Sequence, residues 1–181
     1  MHKLYLWSLG VGLLLCGACT GLRSSTPHTR SGGFWQLNRF DRHGLGHGRW
    51  RTYYDPANQQ PYTTGRYRHG RPVRTFKYYA PTGVLDHSER YGRRGFCEVT
   101  YWHPGGQVAR RGPAQWLTGA QGARFYWFGT WVGFSEKGDT TALETYVDGT
   151  QATRIGYEHG RRATLETYDR RGQLRSTTLL R

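Results

Sequence analysis

An aromatic residue recurs at steps of about 11 or 12 residues through most of this 181-residue chain, and this internal repeat constrains the fold more than any other feature. The recurring positions are Tyr54, Tyr67, Tyr79, Tyr91, Tyr101, Phe134, Tyr146, Tyr157 and Tyr168. The one long gap, 33 residues from Tyr101 to Phe134, equals three steps of 11 and contains Trp116 and Phe125. A step of this length accommodates one strand of about six to eight residues and one turn of about three or four.

Turn-forming residues occur where this repeat requires them, as in Asp55-Pro56-Ala57-Asn58, His103-Pro104-Gly105-Gly106 and Asp148-Gly149. Between the turns polar and apolar residues alternate, which is typical of half-buried strands. Strands joined by short turns pair in antiparallel fashion. The sequence therefore predicts an all-β domain over residues 34–181, an elongated antiparallel meander of consecutive β-hairpin repeats in a single sheet.

Composition excludes two other classes of protein. The chain is poor in Leu and rich in Gly, with 26 glycines, whereas a helical bundle needs Leu and Ala on a helical period. Its 7 Trp, 13 Tyr and 7 Phe are far more aromatic residues than a disordered chain carries. The tetrapeptide Leu-Glu-Thr-Tyr occurs at residues 143–146 and again at 165–168. Glu144 and Glu166 thus hold equivalent repeat positions, which predicts a structural ladder with neighbouring Arg rather than a catalytic pair.

The N-terminus has the pattern of an export signal. Basic His2 and Lys3 precede an apolar segment, residues 4–16, which is shorter than the roughly 20 residues of a membrane-spanning helix. The following Cys16-Gly17-Ala18-Cys19 resembles the bacterial lipobox, which implies cleavage before Cys19 and acylation of this cysteine by diacylglycerol and palmitate. The alternative is ordinary cleavage near Ala18 and a free secreted protein.

These observations predict three segments and a location. Residues 1–18 form the signal peptide, and residues 19–33 form the lipidated Cys19 and a flexible tether rich in Ser, Thr and Gly. Residues 34–181 form the repeat domain. We expect the chain in the bacterial cell envelope, held by the lipid anchor to a periplasmic or outer-membrane surface.

The repeat units resemble a known family. Residues 48–54, Gly-Arg-Trp-Arg-Thr-Tyr-Tyr, followed by residues 65–70, Gly-Arg-Tyr-Arg-His-Gly, are similar to MORN-type repeats, and most closely to those of bacterial YwqK-family antitoxins. The resemblance covers about residues 45–175 and implies an array of hairpins in one sheet. It also implies an alternative function, an antitoxin or immunity protein that neutralises a toxin partner. Residues 107–128 depart from the pattern, and the sequence does not predict their organisation.

The sequence offers no catalytic set, and we predict no metal centre, no cofactor and no enzymatic activity. The spacing of His43 and His47 suits two metal ligands on a helix, but glycines at 44, 46 and 48 disfavour a helix there. We interpret His69, His103 and His159 as solvated turn residues. Cys97 lies in an alternating segment and is predicted to be a small buried apolar residue.

Charge distribution points to a binding surface in the N-terminal half of the domain. Residues 20–115 hold 16 basic and 5 acidic residues, whereas residues 116–181 hold 9 and 7. We predict a contact surface for anionic envelope material, a glycan or a protein, and the export signal disfavours nucleic acid. The predicted residues are Trp50, Tyr53, Tyr54, Arg66, Arg68, Tyr78 and Tyr79. The competing interpretation is that all these rings belong to the core and the surface is inert. The favoured function is a non-enzymatic envelope lipoprotein whose repeat sheet is a binding or scaffold module.

Overall fold

The computed structural model describes residues 36–119 and 122–180, and in this part of the chain it is almost entirely β-structure. The predictions on the signal peptide and on Cys19 lie outside the described residues. All described strands belong to one compact unit, Gly32–Arg181. Across residues 36–119 and 122–180 there is no helix with the length and apolar character needed to cross a membrane.

The strands are β1 (Arg39–Phe40), β2 (Gly46–Tyr53), β3 (Pro61–Arg68), β4 (Arg71–Pro72), β5 (Arg74–Tyr79), β6 (Leu85–Tyr91), β7 (Phe96–Trp102), β8 (Val108–Gly119), β9 (Gly122–Trp127), β10 (Gly129–Phe134), β11 (Thr140–Val147), β12 (Thr150–Glu158), β13 (Arg161–Tyr168) and β14 (Leu174–Leu179). A single 3-10 turn, Arg93–Gly95, precedes β7.

The strands form one antiparallel sheet in which spatial order follows chain order, so the predicted meander of hairpins in a single sheet is confirmed. Two short strands lie off the main path, because β4 pairs only with β3 and β9 pairs only with β8. Strand β8 is 12 residues long, and its far edge is divided between β9 and β10. The β8–β9 hairpin fills the long gap in the aromatic repeat and accounts for residues 107–128.

The hairpins share a register shift at the same place. The shift falls immediately before an aromatic residue in seven strand pairs, at Tyr53, Tyr79, Trp102, Phe134, Tyr146, Tyr157 and Tyr168. A bulge of this kind bends the strand and increases its twist. Five of the nine repeating aromatic residues therefore directly follow a bend in a hairpin: Tyr79, Phe134, Tyr146, Tyr157 and Tyr168.

Burial is confined to one side of the sheet. Side chains alternate between faces along a strand, and the register fixes which of them align across strands. One row crosses the whole sheet through Gly65, Phe76, Glu89, Val99, Gly112, Trp131, Glu144, Arg154 and Glu166. We call the side that carries this row the aromatic face and the opposite side, with Arg49, Thr100 and Leu143, the open face. Every buried non-glycine side chain of the described residues lies on the aromatic face.

The core is the centre of the aromatic face. It consists of Cys97, Val99, Ala114, Trp131 and Tyr146, against which Tyr91, Tyr101 and Trp127 pack. The predicted burial of Cys97 is confirmed, because the residue is 6% exposed.

Glycine lets this face cover itself without a second layer. An added Cβ at Gly65 would lie 2.3 Å from the ring of Phe76, and one at Gly112 would lie 2.3 Å from the ring of Trp131. Each ring therefore lies flat against the backbone of its glycine. This packing of rings against bare backbone accounts for Gly65 and Gly112, while 12 other glycines of the described residues have positive φ, which glycine adopts without strain.

Candidate functional site

The seven residues of the predicted contact surface do not form a single surface. Trp50 and Tyr78 lie on the aromatic face, where the Trp50 ring is 5.3 Å from that of Tyr67. Arg66 and Arg68 lie on the open face and are exposed. The structure thus separates the predicted rings on the aromatic face from the predicted bases by the thickness of the sheet.

The other three predicted residues lie near strand ends. Tyr54 is exposed, its ring centroid lies 4.9 Å from that of Tyr62, and its hydroxyl donates a hydrogen bond of 2.8 Å to the carbonyl of Tyr79. Tyr53 and Tyr79 are half-buried and each adjoins a register shift. These three rings support the hairpin ends. The exposed charged residues among the seven predicted ones are the two bases on the open face.

The open face of β2–β8 is a field of positive charge. Strand alternation and register place eight bases and one acid, Glu98, on it. The bases are Arg49, Arg51, Arg66, Arg68, Arg71, Lys77, Arg90 and Arg111, and all eight are exposed. Within residues 36–119 and 122–180 none of these eight bases forms an ion pair. Their charge is therefore available to an external anion.

The open face of β10–β14 is neutral by comparison. The row that contains Arg111 continues through Val132, Leu143, Ile155 and Leu165. The neighbouring row continues through Thr145, Thr153, Thr167 and Ser176. Along these two rows the open face is thus basic in β2–β8 and uncharged in β10–β14, in agreement with the charge asymmetry of the sequence.

Charged groups also lie on the aromatic face, beginning with Glu89. This carboxylate is 5% exposed and accepts hydrogen bonds from the hydroxyls of Tyr78, at 2.9 Å, and Tyr91, at 2.7 Å. Burial, and after it the charge of Glu89, raises the pKa of both tyrosines well above the ordinary value, so both hydroxyls stay protonated donors. The His87 ring, 3.9 Å from Glu89, stacks on Tyr78 at 4.2 Å between ring centroids. This arrangement satisfies a buried carboxylate without an Arg or Lys.

Arg110 occupies an aromatic cage. Its guanidinium lies 4.7 Å from the ring centroid of Trp127, 5.0 Å from that of Trp131 and 5.5 Å from that of Tyr146. It donates to the Glu144 carboxylate and forms an ion pair with it. The cage therefore holds a cation of the chain itself, and the rings are not open to an external ligand.

The ion pair of Arg110 begins a ladder of alternating charge. Arg154 lies 3.7 Å from the Glu144 carboxylate and 3.3 Å from that of Glu166. The predicted structural ladder of Glu144 and Glu166 with neighbouring Arg is confirmed. Sequence reasoning missed Arg110, because its pairing with Glu144 depends on how β8 aligns with β10 and β11.

A second unpredicted cluster lies near the start of the domain, in two turns and the first residues of β2. One ligand atom each from Asp41, His47 and His69 lies within 4.8 Å of the others. The Asp41 carboxylate accepts hydrogen bonds from the backbone N–H of His43 and of Leu45 and lies 2.8 Å from Nδ1 of His69. The His69 hydrogen bond, followed by those backbone bonds, lowers the Asp41 pKa to about 2. Sequence analysis named His47 and His69 separately and did not connect either of them with Asp41.

A surface cavity of about 350 Å³ opens beside the end of β10. Arg111, Phe134, Glu136 and Lys137 line it together with Gln107, Val108 and Gly138. Its walls hold no His, Cys or Ser, and hence no nucleophile paired with a base.

Compared with known proteins, the chain matches no protein-family model and no curated protein. The resemblance to MORN-type repeats, the lipoprotein signal and the antitoxin alternative therefore stay predictions from the sequence.

Proposed function

We propose that this chain is a non-enzymatic lipoprotein of the bacterial cell envelope whose sheet binds the anionic surface of a membrane through the basic half of its open face. The observation that carries the proposal is the field of eight exposed bases without an ion pair, with one acid, on β2–β8. A basic residue close to anionic head groups contributes about 1 kcal/mol of binding free energy.

The anchor prediction adds a second contact with the same surface. A lipid on Cys19 would place the membrane at the N-terminal side of the chain, and the basic strands β2 and β3 are the first long strands to follow. Diacylglycerol and palmitate on Cys19 would hold the chain at the membrane, and basic residues close to anionic head groups would then orient the sheet against it. The anchor is tested by metabolic labelling with an alkyne fatty acid. The wild-type chain should be labelled and Cys19→Ser should not, and equal labelling of both excludes lipidation at Cys19.

The membrane contact is tested on residues 32–181, the compact unit without the anchor. Co-sedimentation with vesicles of 30 mol% phosphatidylglycerol in phosphatidylcholine should be strong at low salt. It should weaken at high salt, since exposed charges are screened beyond about 8 Å at physiological ionic strength. Vesicles of phosphatidylcholine alone should not sediment the protein.

A pair of triple variants tests the face itself. Arg49→Ser with Arg66→Ser and Arg90→Ser removes three bases of the open face and should weaken binding by up to about 100-fold, from about 1 kcal/mol for each base. The control, Arg161→Ser with Arg170→Ser and Arg171→Ser, removes three exposed bases outside this field and should change binding much less. Equal weakening by both triples shows that net charge alone is responsible, and no sedimentation at low salt excludes the anionic membrane as the partner.

A further inference from the structure

We propose that Asp41, His47 and His69 form a binding site for a divalent transition-metal cation such as Zn²⁺. Two imidazoles and one carboxylate are a ligand set that suits zinc, nickel and copper, and three protein ligands leave a fourth position for water or a partner. The proposed membrane contact does not involve these three residues, so the two proposals are tested independently.

Three different parts of the domain supply the ligands. Asp41 belongs to the turn between β1 and β2, His47 lies in β2, and His69 lies in the turn between β3 and β4. The rings of His47 and His69 are 4.8 Å apart between centroids. A bound cation would join the first turn of the domain to the third strand.

The carboxylate is oriented before any metal arrives. Backbone N–H groups of His43, at 2.9 Å, and Leu45, at 3.0 Å, donate to one Asp41 oxygen. Its other oxygen faces Nδ1 of His69 at 2.8 Å. Such fixed outer contacts of a ligand group are typical of metal sites.

The site has to adjust only slightly. Ligand atoms of a tetrahedral zinc site lie about 3.3 Å apart, given metal–ligand distances of about 2.0–2.2 Å. To reach this separation, the Asp41 oxygen and Nδ1 of His69 must move apart by about half an ångström. The ligand nitrogen of His47 starts within 4.8 Å of the other two ligand atoms and must move closer to them. The His69 side chain is 61% exposed and so is free to make the first of these movements.

The backbone of the β3–β4 turn does not explain the cluster. His69 and Gly70 have φ values of 49° and 71°, and the equivalent His159 and Gly160 have 50° and 75°. The corresponding Asp148 and Gly149 have 49° and 85°, so this turn position accepts residues other than His. Among the described residues, only the first of these turns places its His against a second His and an Asp.

The test is zinc titration by calorimetry on the full chain in mild detergent, treated with EDTA and then freed of it. Cys16 and Cys19 are replaced by Ser throughout, because those two thiols bind the same metals. We expect one equivalent of Zn²⁺ per chain and no heat with Mg²⁺, because Mg²⁺ prefers oxygen ligands. Co²⁺ should give a visible d–d spectrum at the same stoichiometry.

Two variants and a matched control decide the assignment. His69→Asn keeps a residue that tolerates positive φ, and it should weaken zinc binding at least tenfold, as should His47→Gln. His159→Asn makes the same substitution in the equivalent turn and should bind zinc like the parent chain. Circular dichroism verifies that each variant keeps its β-structure. Absence of zinc binding by the parent chain, or binding by His69→Asn and His47→Gln equal to that of His159→Asn, overturns the proposal.

Discussion

The packing of rings on bare backbone makes Gly112→Ala a severe change for so small a substitution. A Cβ at this position would lie 2.3 Å from two atoms of the Trp131 ring and 2.5 Å from a third. Restoring an ordinary contact requires the ring to move by about 1 Å. Trp131 is fully buried, donates from its Nε1 to the Pro113 carbonyl at 3.1 Å and lies 4.1 Å from the Trp127 ring between centroids. The ring therefore has little freedom to move without breaking these contacts.

Two destabilising effects and one stabilising effect set the change in the free energy of unfolding. Overpacking a well-packed core costs about 1–3 kcal/mol. Weakening the Trp131 hydrogen bond adds about 0.5–1.5 kcal/mol. Replacing glycine by alanine within a strand returns about 0.5–1 kcal/mol, because the unfolded chain loses freedom. We expect Gly112→Ala to lower the free energy of unfolding by about 1–3 kcal/mol in total.

Urea unfolding followed by far-UV circular dichroism measures this change. Gly119→Ala is the matched control, since Gly119 lies in the same strand and an added Cβ there meets nothing within 4 Å. The control should be neutral or more stable by up to about 1 kcal/mol. In a Trp131→Leu background the cost of Gly112→Ala should largely disappear, because the two changes act on one contact. If Gly112→Ala is as stable as Gly119→Ala, the Trp131 ring does not need glycine beneath it, and ring packing does not explain the glycine at this position.

Two further predictions concern the aromatic face. Arg110→Met should lower the free energy of unfolding by about 2 kcal/mol, because its charged hydrogen bonds and its cation–π contacts are lost. Arg66→Met, on the exposed open face, should be nearly neutral, and equal urea midpoints for the two variants would contradict the role of the cage. Burial, and after it the charge of Glu89, raises the pKa of the Cys97 thiol to about 12. Because the thiolate is the reactive form, iodoacetamide at pH 8 should label Cys97 far more slowly in the folded chain than in the urea-unfolded chain. Equal labelling rates in the two states would refute the raised pKa of Cys97. The free energy of unfolding should also decrease as pH rises from about 9 toward 12, because in this range only the unfolded thiol ionises.

The sequence predicted what depends on neighbouring residues. Turn chemistry and period-2 alternation around Tyr146, Tyr157 and Tyr168 act within about ten residues, and the strands that contain them, β11–β13, lie where the repeat predicts. The charge ladder of Glu144 and Glu166 was predictable for the same reason, since one repeat places equivalent residues on neighbouring strands.

The sequence did not predict what depends on register over long separations. His69 and Asp41 are 28 residues apart, and Arg110 and Tyr146 are 36 apart. Their contacts require the alignment of several strands, and each bulge changes the count of residues on one strand against the next. The predicted surface that mixed Trp50 and Tyr78 with Arg66 failed to separate the two faces for this reason.

The two faces of this sheet differ in role, because one packs the core and the other carries the proposed membrane contact. The aromatic face provides the packing, because every buried non-glycine side chain of residues 36–119 and 122–180 lies there. On the open face the same two rows carry six bases and one acid in β2–β8 and aliphatic and hydroxyl side chains in β10–β14, while the hairpin geometry stays the same. The hairpin thus forms with or without these charges, so the positive field is not required by the fold. Clustered like charges repel and reduce the stability of the folded state. A repulsive field that the fold does not need supports the proposed membrane contact, and its removal by the open-face triple variant should change binding without loss of structure.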